Sequence, residues 1–567
     1  MKKLITLIMT VVIALSTLVI APACSPVISG GDPNKTWLYV GNYNGGVGDK
    51  WLKEVEKRFE KKYENYQLNG KTGVDVILDS NKETTGKTLI SSISQSKNEV
   101  FFHQQVLYFD YVNQSLIRDL SGLLERQNAD DQNQTIKSKM YEKDIENLTV
   151  NGKIYALPHY ECYNGLTYDA GIFLKNRLYF SNSIAEDGTR KFITNDNTPL
   201  SPGPNGISGD YDDGLPSSFE EFYKMIDRMK GKSVKSVIWT GEYTHYTNIL
   251  ITALYQSYMG VNGINAHVDF DSNGEEIEIV TDFDLITNAE KPTPMIQKEV
   301  ITQENGYLVK QSAGLYYALE VAAKIFGSQD YYYKDSTAGN FSQISAMRTF
   351  MKSGLKPGET AAMLIDGNYW YNEADDYGIM EEVKSEYSEA YTTKQPRFMA
   401  LPQKYSGTVM EGEGNAPTMI DSYNAYCFIN AKTAENKVDL AEKFVAFCYT
   451  DSELKEFTKN TNGIIKGVKY DYNSIKSSLC DYAKGVVEMR AEAEKAGTYM
   501  KAFSNNTIFK ANMNAFMVDG TSEFWESKVG GGSKYLYLAV RSDNYSAKDY
   551  FNGMKITQST WENTYNK

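Results

Sequence analysis

Apolar positions along the chain change period several times. Trp37 to Val40 is a short β-type run, Gly41 to Gly48 is rich in Gly and Asn, and Trp51, Leu52, Val55 and Phe59 then recur at helical spacing as far as Tyr63. That order is strand, glycine loop, helix. Val74 to Leu78 reads as a second strand, Leu89 to Ile93 begins a helix, and Val100 to Phe102 reads as a third strand. A β-α-β-α-β order predicts a parallel sheet with helices on both faces. Farther along, helices are expected over Phe219–Met229, Thr247–Met259, Gly314–Phe326 and Leu440–Tyr449. Strands are expected over Ser236–Trp239, Thr360–Ile365, Phe398–Leu401 and Ala425–Ile429. Alternation in His267–Thr281 around Asp271-Ser272-Asn273-Gly274 reads as a hairpin. Ser181 to Gly214, rich in Gly, Pro, Asn and Asp, reads as a surface loop.

The first residues carry an address rather than a fold. Lys2 and Lys3 precede an uncharged apolar run from Leu4 to Ile20, and Ala21, Pro22 and Ala23 lead into Cys24. The order is that of a secretory signal over residues 1–23. A cysteine directly after such a run resembles a bacterial lipoprotein signal, which would make Cys24 the lipidated N-terminus. The competing reading is an ordinary cleavage site at Ala21-Pro22-Ala23, with Cys24 incidental. Residues 24–35, rich in Ser, Gly and Pro, read as a flexible tether.

Charge narrows the partners. The chain of 567 residues holds 59 basic and 72 acidic side chains, a net charge of −13. Such a balance argues against a nucleic-acid binder and against a polybasic membrane face. Cys162, Cys427, Cys448 and Cys480 have no zinc-like spacing, and the apolar settings of Cys427 and Cys448 read as buried free thiols. No H-E-x-x-H, G-x-S-x-G or Walker A string occurs. Gly86-Lys87-Thr88 has a Walker A ending, but Asn81 stands where a glycine belongs; Trp51 likewise spoils a dinucleotide fingerprint opened by Gly46 and Gly48. Asp269 to Gly274 matches half an EF-hand loop, but Val280 occupies the position that needs a bidentate Glu. His159-x-x-Cys162 has no second pair nearby. No metal and no cofactor is therefore expected.

Several separated segments resemble extracellular solute-binding proteins, family 1, of ABC importers. They are LYVGNYNGGVGDKWLKEVEKRFEKKY, VFFHQQVLYFDYVNQSLIRDL, GKIYALPHYECYNGLTYD, WTGEYTHYTNIL, AAMLIDGNYWYNEA, FMALPQK and AYCFINAKTAENKVDLAEKFVAFCYTDSELKEF, with YFNGMKITQSTWENTYNK closing the chain. The resemblance implies an α/β fold of two hinged lobes, of the periplasmic-binding-protein class II type, with a ligand clamped between them. Lobe one is then expected at 36–160 plus 402–470 and lobe two at 161–401 plus 471–567. It further implies a monomer at the outer face of the membrane that hands a sugar or oligosaccharide to permease subunits, without catalysis.

Candidate ligand residues follow from the matching segments. They are Tyr43 and Asn44 in the glycine loop, His103 and Gln104 after the third strand, and Tyr160, Glu161 and Tyr163 at the crossover. Trp239, Glu242, Tyr243, Asp366, Trp370, Tyr371, Asp421 and Tyr423 complete the set. Aromatic rings stack on the C–H face of a pyranose, while amides, carboxylates and phenols bond its hydroxyls. The chain's 42 tyrosines, against 24 Phe and 6 Trp, suit that chemistry. Two alternatives stay open: a secreted glycoside hydrolase that pairs Asp366 with Glu161 or Glu242, or a binder of peptides or other polar solutes.

Overall fold

A computed structural model of the chain describes residues 31–82, 86–284, 293–421, 423–502, 536–542 and 544–565. The expected signal, Cys24 and most of the tether lie outside the described residues.

The protein has two α/β lobes. The first is built on a sheet ordered Val74–Asn81, Thr36–Tyr43, Val100–His103, Tyr426–Ile429 and Leu157–Pro158. The first three strands run parallel, and Tyr426–Ile429 joins them antiparallel. Helix Lys50–Lys62 buries Trp51, Leu52, Val55 and Phe59, the stripe legible in the sequence. Trp51 meets Phe102 and Phe457 edge-on at 5.1 Å in each case. The second lobe is built on Val234–Ile238, Thr360–Gly367, Asn164–Asp169 and Pro396–Phe398. Its core surrounds Trp239 and Trp370.

The chain passes between the lobes at Cys162–Tyr163, Ile420–Ala425 and Val468–Tyr482, where membership of the two cores changes. Met419 and Ile420, expected in lobe one, belong to the lobe-two core. Their strand Met419–Asp421 pairs with Tyr499–Lys501 and is held there. The chain re-enters lobe one at Tyr423, which packs against that lobe's core just before Ala425.

Two other expectations differ from the structure. Helix Tyr246–Asp269 runs through His267, past a break at Gly260 (φ 64°), so the hairpin expected at His267–Thr281 is absent. Ala266, His267 and Val268 are buried as part of this helix, and the apparent alternation belongs to its apolar face. The hairpin lies later, between Glu276–Asp284 and Thr293–Val300. The segment 181–214 is not a simple surface loop. It begins within the hairpin Phe180–Ile184/Arg190–Phe192, and residues 201–206 are buried. Some of its polar groups find partners inside the protein: buried Arg190 donates to the Val409 carbonyl at 2.5 Å, and its backbone N–H donates to Glu221 at 3.0 Å.

Candidate functional site

The carboxyl ends of the parallel strands of both lobes face one seam, the usual place for ligands in open α/β sheets. From lobe one come Tyr43, His103, Gln104, Tyr160 and Tyr423. The Tyr43 and His103 rings lie 6.2 Å apart. The Tyr160 hydroxyl donates to Gln104 Oε1 at 2.5 Å, and Tyr43 lies beside the same amide. From lobe two come Asp366 at the end of its strand, Tyr369 just beyond it, and Tyr246 at the start of its helix. The Tyr369 and Tyr423 hydroxyls meet at 3.3 Å, and Tyr423 donates to Asn164 Oδ1 at 3.4 Å. Tyr369 in turn lies beside both Asp366 and Tyr246.

Glycine lets the lobes approach. At Gly46 (φ +70°) a Cβ would lie 2.9 Å from the Tyr369 ring. Asn372 donates to the Gly46 carbonyl at 2.9 Å, and Lys82 of lobe one pairs with Glu373 of lobe two. Burial, then the nearby Glu373 carboxylate, holds Asp366 well above the ordinary carboxylate range. Burial also raises Tyr43 and Tyr369, so the phenols remain neutral donors at physiological pH.

Other sequence candidates point elsewhere. Trp239 packs against Phe326 and Tyr332, and Trp370 against Phe350 and Tyr482; both are core residues of lobe two. Both rings are spent on core packing, 1% and 0% exposed, so neither tryptophan reaches the seam. Tyr371 stacks on Tyr482 at 4.9 Å. Glu242 and Tyr243 lie exposed on the loop after Trp239. Asn44 shapes the glycine turn, its carbonyl accepting from Gly48 N–H at 3.1 Å.

Glu161 and Asp421 belong to the hinge. Arg490 grips Glu161 with Nε at 2.7 Å and Nη2 at 3.1 Å, and Tyr163 donates to the same carboxylate. The Arg490 guanidinium lies 3.4 Å from the Tyr499 ring centroid. Asp421 Oδ1 accepts from the Cys162 N–H at 3.1 Å, while Lys501 Nζ lies 3.8 Å from its other oxygen. Burial pushes Asp421 up to about 6, opposed by Lys501. A cavity of about 660 Å³ opens beside these crossovers, lined by Tyr141, Asp144, Asn265, Gln303, Tyr499 and Lys501 among others.

His159 Nδ1 faces Lys466 Nζ at 2.8 Å, and burial followed by that lysine lowers the imidazole well below its usual range. Cys162, Cys427 and Cys448 are free and buried, and Cys480 is free and half-buried.

Sequence reasoning missed Tyr369, Tyr246 and Asn164. Tyr369 sits inside the segment AAMLIDGNYWYNEA, one residue before Trp370, so the signal was present but assigned to its neighbour.

Two solved structures share this architecture over nearly their whole length. One is a chitin oligosaccharide binding protein: 13% identical, TM-score 0.53, covering 94% of this chain and 100% of that one. The other is maltose-bound T. maritima MalE3: 11% identical, TM-score 0.52, covering 93% and 99%. The two-lobe fold is thus shared with proteins named for binding sugars. No protein-family model matches the chain, and no curated protein matches it in sequence. Among the described residues no helix is long and apolar enough to cross a membrane.

Proposed function

We propose that the protein captures a carbohydrate between its lobes and delivers it to the permease of an ABC importer. The observation that carries this reading is the seam itself, at the carboxyl ends of parallel strands in both lobes. It is lined by neutral phenols and amides, Tyr43, Gln104, Tyr160, Tyr369 and Tyr423, with His103 and Asp366 beside them. Rings of this kind stack on pyranose faces, and their hydroxyls trade partners with sugar hydroxyls at little net cost. The shared fold with two sugar-binding proteins supports the same reading. Ligand binding acts by population shift: the open form admits sugar, and contacts from both lobes favour the closed form. The reading involves no cofactor. A lipid on Cys24 would hold the protein at the outer face of the membrane.

Calorimetry of the full mature chain against maltodextrins and chitooligosaccharides tests the proposal. Saturable binding with the sugar recovered intact is expected. No binding across the panel, or release of reducing ends that stops with Asp366→Asn, would refute it; the latter would favour a hydrolase. Mass spectrometry of the mature N-terminus checks the anchor, and an unmodified Cys24 would remove it.

A further inference from the structure

The segment 202–214 of lobe two, Pro-Gly-Pro-Asn-Gly-Ile-Ser-Gly-Asp-Tyr-Asp-Asp-Gly, is wound into a tight coil. Gly203, Gly206, Gly209 and Gly214 all take positive φ, and a Cβ on Gly203 would lie 2.5 Å from Asp212 Oδ1. The coil brings Asp210, Asp212 and Asp213 together, each offering a carboxylate oxygen within 4.8 Å of the other two. Backbone and amide donors satisfy only part of this charge. Asp210 accepts from Asp212 N–H at 3.2 Å and from Asn205 Nδ2 at 2.8 Å. Asp212 Oδ2 accepts from Asn205 N–H at 2.9 Å, and Asp213 Oδ2 from Gly209 N–H at 2.8 Å.

The second oxygen of two of these groups is left over. Asp212 is 0% exposed, and its Oδ1 is buried with no donor; Asp213 Oδ1 is likewise buried with none. The charged neighbours acting on them are themselves acidic: Asp210, Glu492 and Glu411. An uncompensated buried carboxylate is costly, so either a proton or a cation must answer it. One proton would satisfy one orphan oxygen; here two orphan oxygens share one coil with a third carboxylate. Hard oxygen donors on a glycine-rich turn suit a calcium ion rather than zinc or copper.

We propose that this coil binds a calcium ion through Asp210, Asp212 and Asp213. The coil is also tied to the hinge helix. Tyr211 and Asn205 both bond Glu492, two residues from the Arg490 that clamps Glu161. A filled coil would therefore buttress the helix that carries the hinge arginine.

The test uses the full mature chain, first freed of ions with EGTA. Calcium titrated alone should bind one ion per chain and raise Tm by several degrees, with a Kd of about 10⁻³ M or tighter. Asp212→Asn should lose both responses, while its Tm in EGTA stays equal to or above that of the unaltered chain, because a buried charge is removed. Terbium in the same site should emit when tyrosine is excited, and Tyr211→Phe should dim that emission while leaving calcium affinity unchanged. Absence of heat and of any Tm shift up to about 5 mM calcium overturns the proposal, since that exceeds the weakest range for calcium modules. Asp212→Asn that still binds calcium overturns it too. If that variant fails to fold, terbium emission that Tyr211→Phe leaves undimmed overturns the proposal by itself.

Discussion

Where the lobes meet, Tyr369 and Tyr423 touch through neutral hydroxyls; along the adjoining crossovers, Glu161 and Arg490 meet through full charge. Both regions are buried, yet they tolerate rearrangement differently. A phenol that loses one hydroxyl partner can take another from water or from a ligand, and the exchange costs little. A buried carboxylate that loses its guanidinium leaves a stranded charge, which costs several kcal/mol. The seam is thus built to part, and the hinge is built to keep its contacts while the lobes move about it.

The largest expected effect is at the hinge. Arg490→Met should destabilise the protein by about 3–5 kcal/mol, because it strands Glu161. Chemical denaturation measures this, and a loss below about 1 kcal/mol would erase the distinction between the regions. The double variant Glu161→Gln with Arg490→Met should recover part of the loss, as no unpaired charge then remains.

A smaller effect sharpens the same side. Asp421 holds its proton up to about pH 6 in the folded protein, against about 3.9 unfolded. The native state therefore binds the proton more tightly. This contribution to stability is complete below about pH 4 and lost as pH rises to about 6. The fall is about 2–3 kcal/mol over that window. Asp421→Asn should flatten that part of the pH–stability curve. A curve with unchanged slope would show that Lys501 keeps the carboxylate charged in both states.

The smallest effect belongs to the seam. Tyr369→Phe should weaken sugar binding by about 0.5–1.5 kcal/mol, one hydroxyl bond, and change stability by no more. Tyr369→Ala should cost about tenfold or more in affinity, as the ring is lost as well. Calorimetry with the bound sugar decides this, and equal affinity in both variants would remove Tyr369 from the site.

Much of the first lobe was legible in the chain, because its order of apolar periods is local. Strand Thr36–Tyr43 and helix Lys50–Lys62 lie where the spacing of Trp51, Leu52, Val55 and Phe59 puts them. The site was legible to within a turn and not to the side chain. After Gly367 the chain bends into a helix, and that bend, not residue type, decides that Tyr369 faces lobe one while Trp370 turns inward. Glu161 resembled a ligand residue because its partner Arg490 is 329 positions away, beyond any local pattern. The coil 202–214 read as plain surface loop because Gly, Pro, Asn and Asp mark turns whether or not the turn is buried.

One topological detail bears on how the molecule is made. Tyr426–Ile429 sits between Val100–His103 and Leu157–Pro158 in the first sheet. Synthesis runs from the N-terminus, so the ribosome completes the whole second-lobe sheet, through Phe398, before that strand exists. Until then Val100–His103, with its Val and Phe side chains, presents an unpaired edge of the kind that recruits stray chains. The first lobe is begun early and finished late, and a nascent chain stalled before residue 426 should be the species most in need of a chaperone.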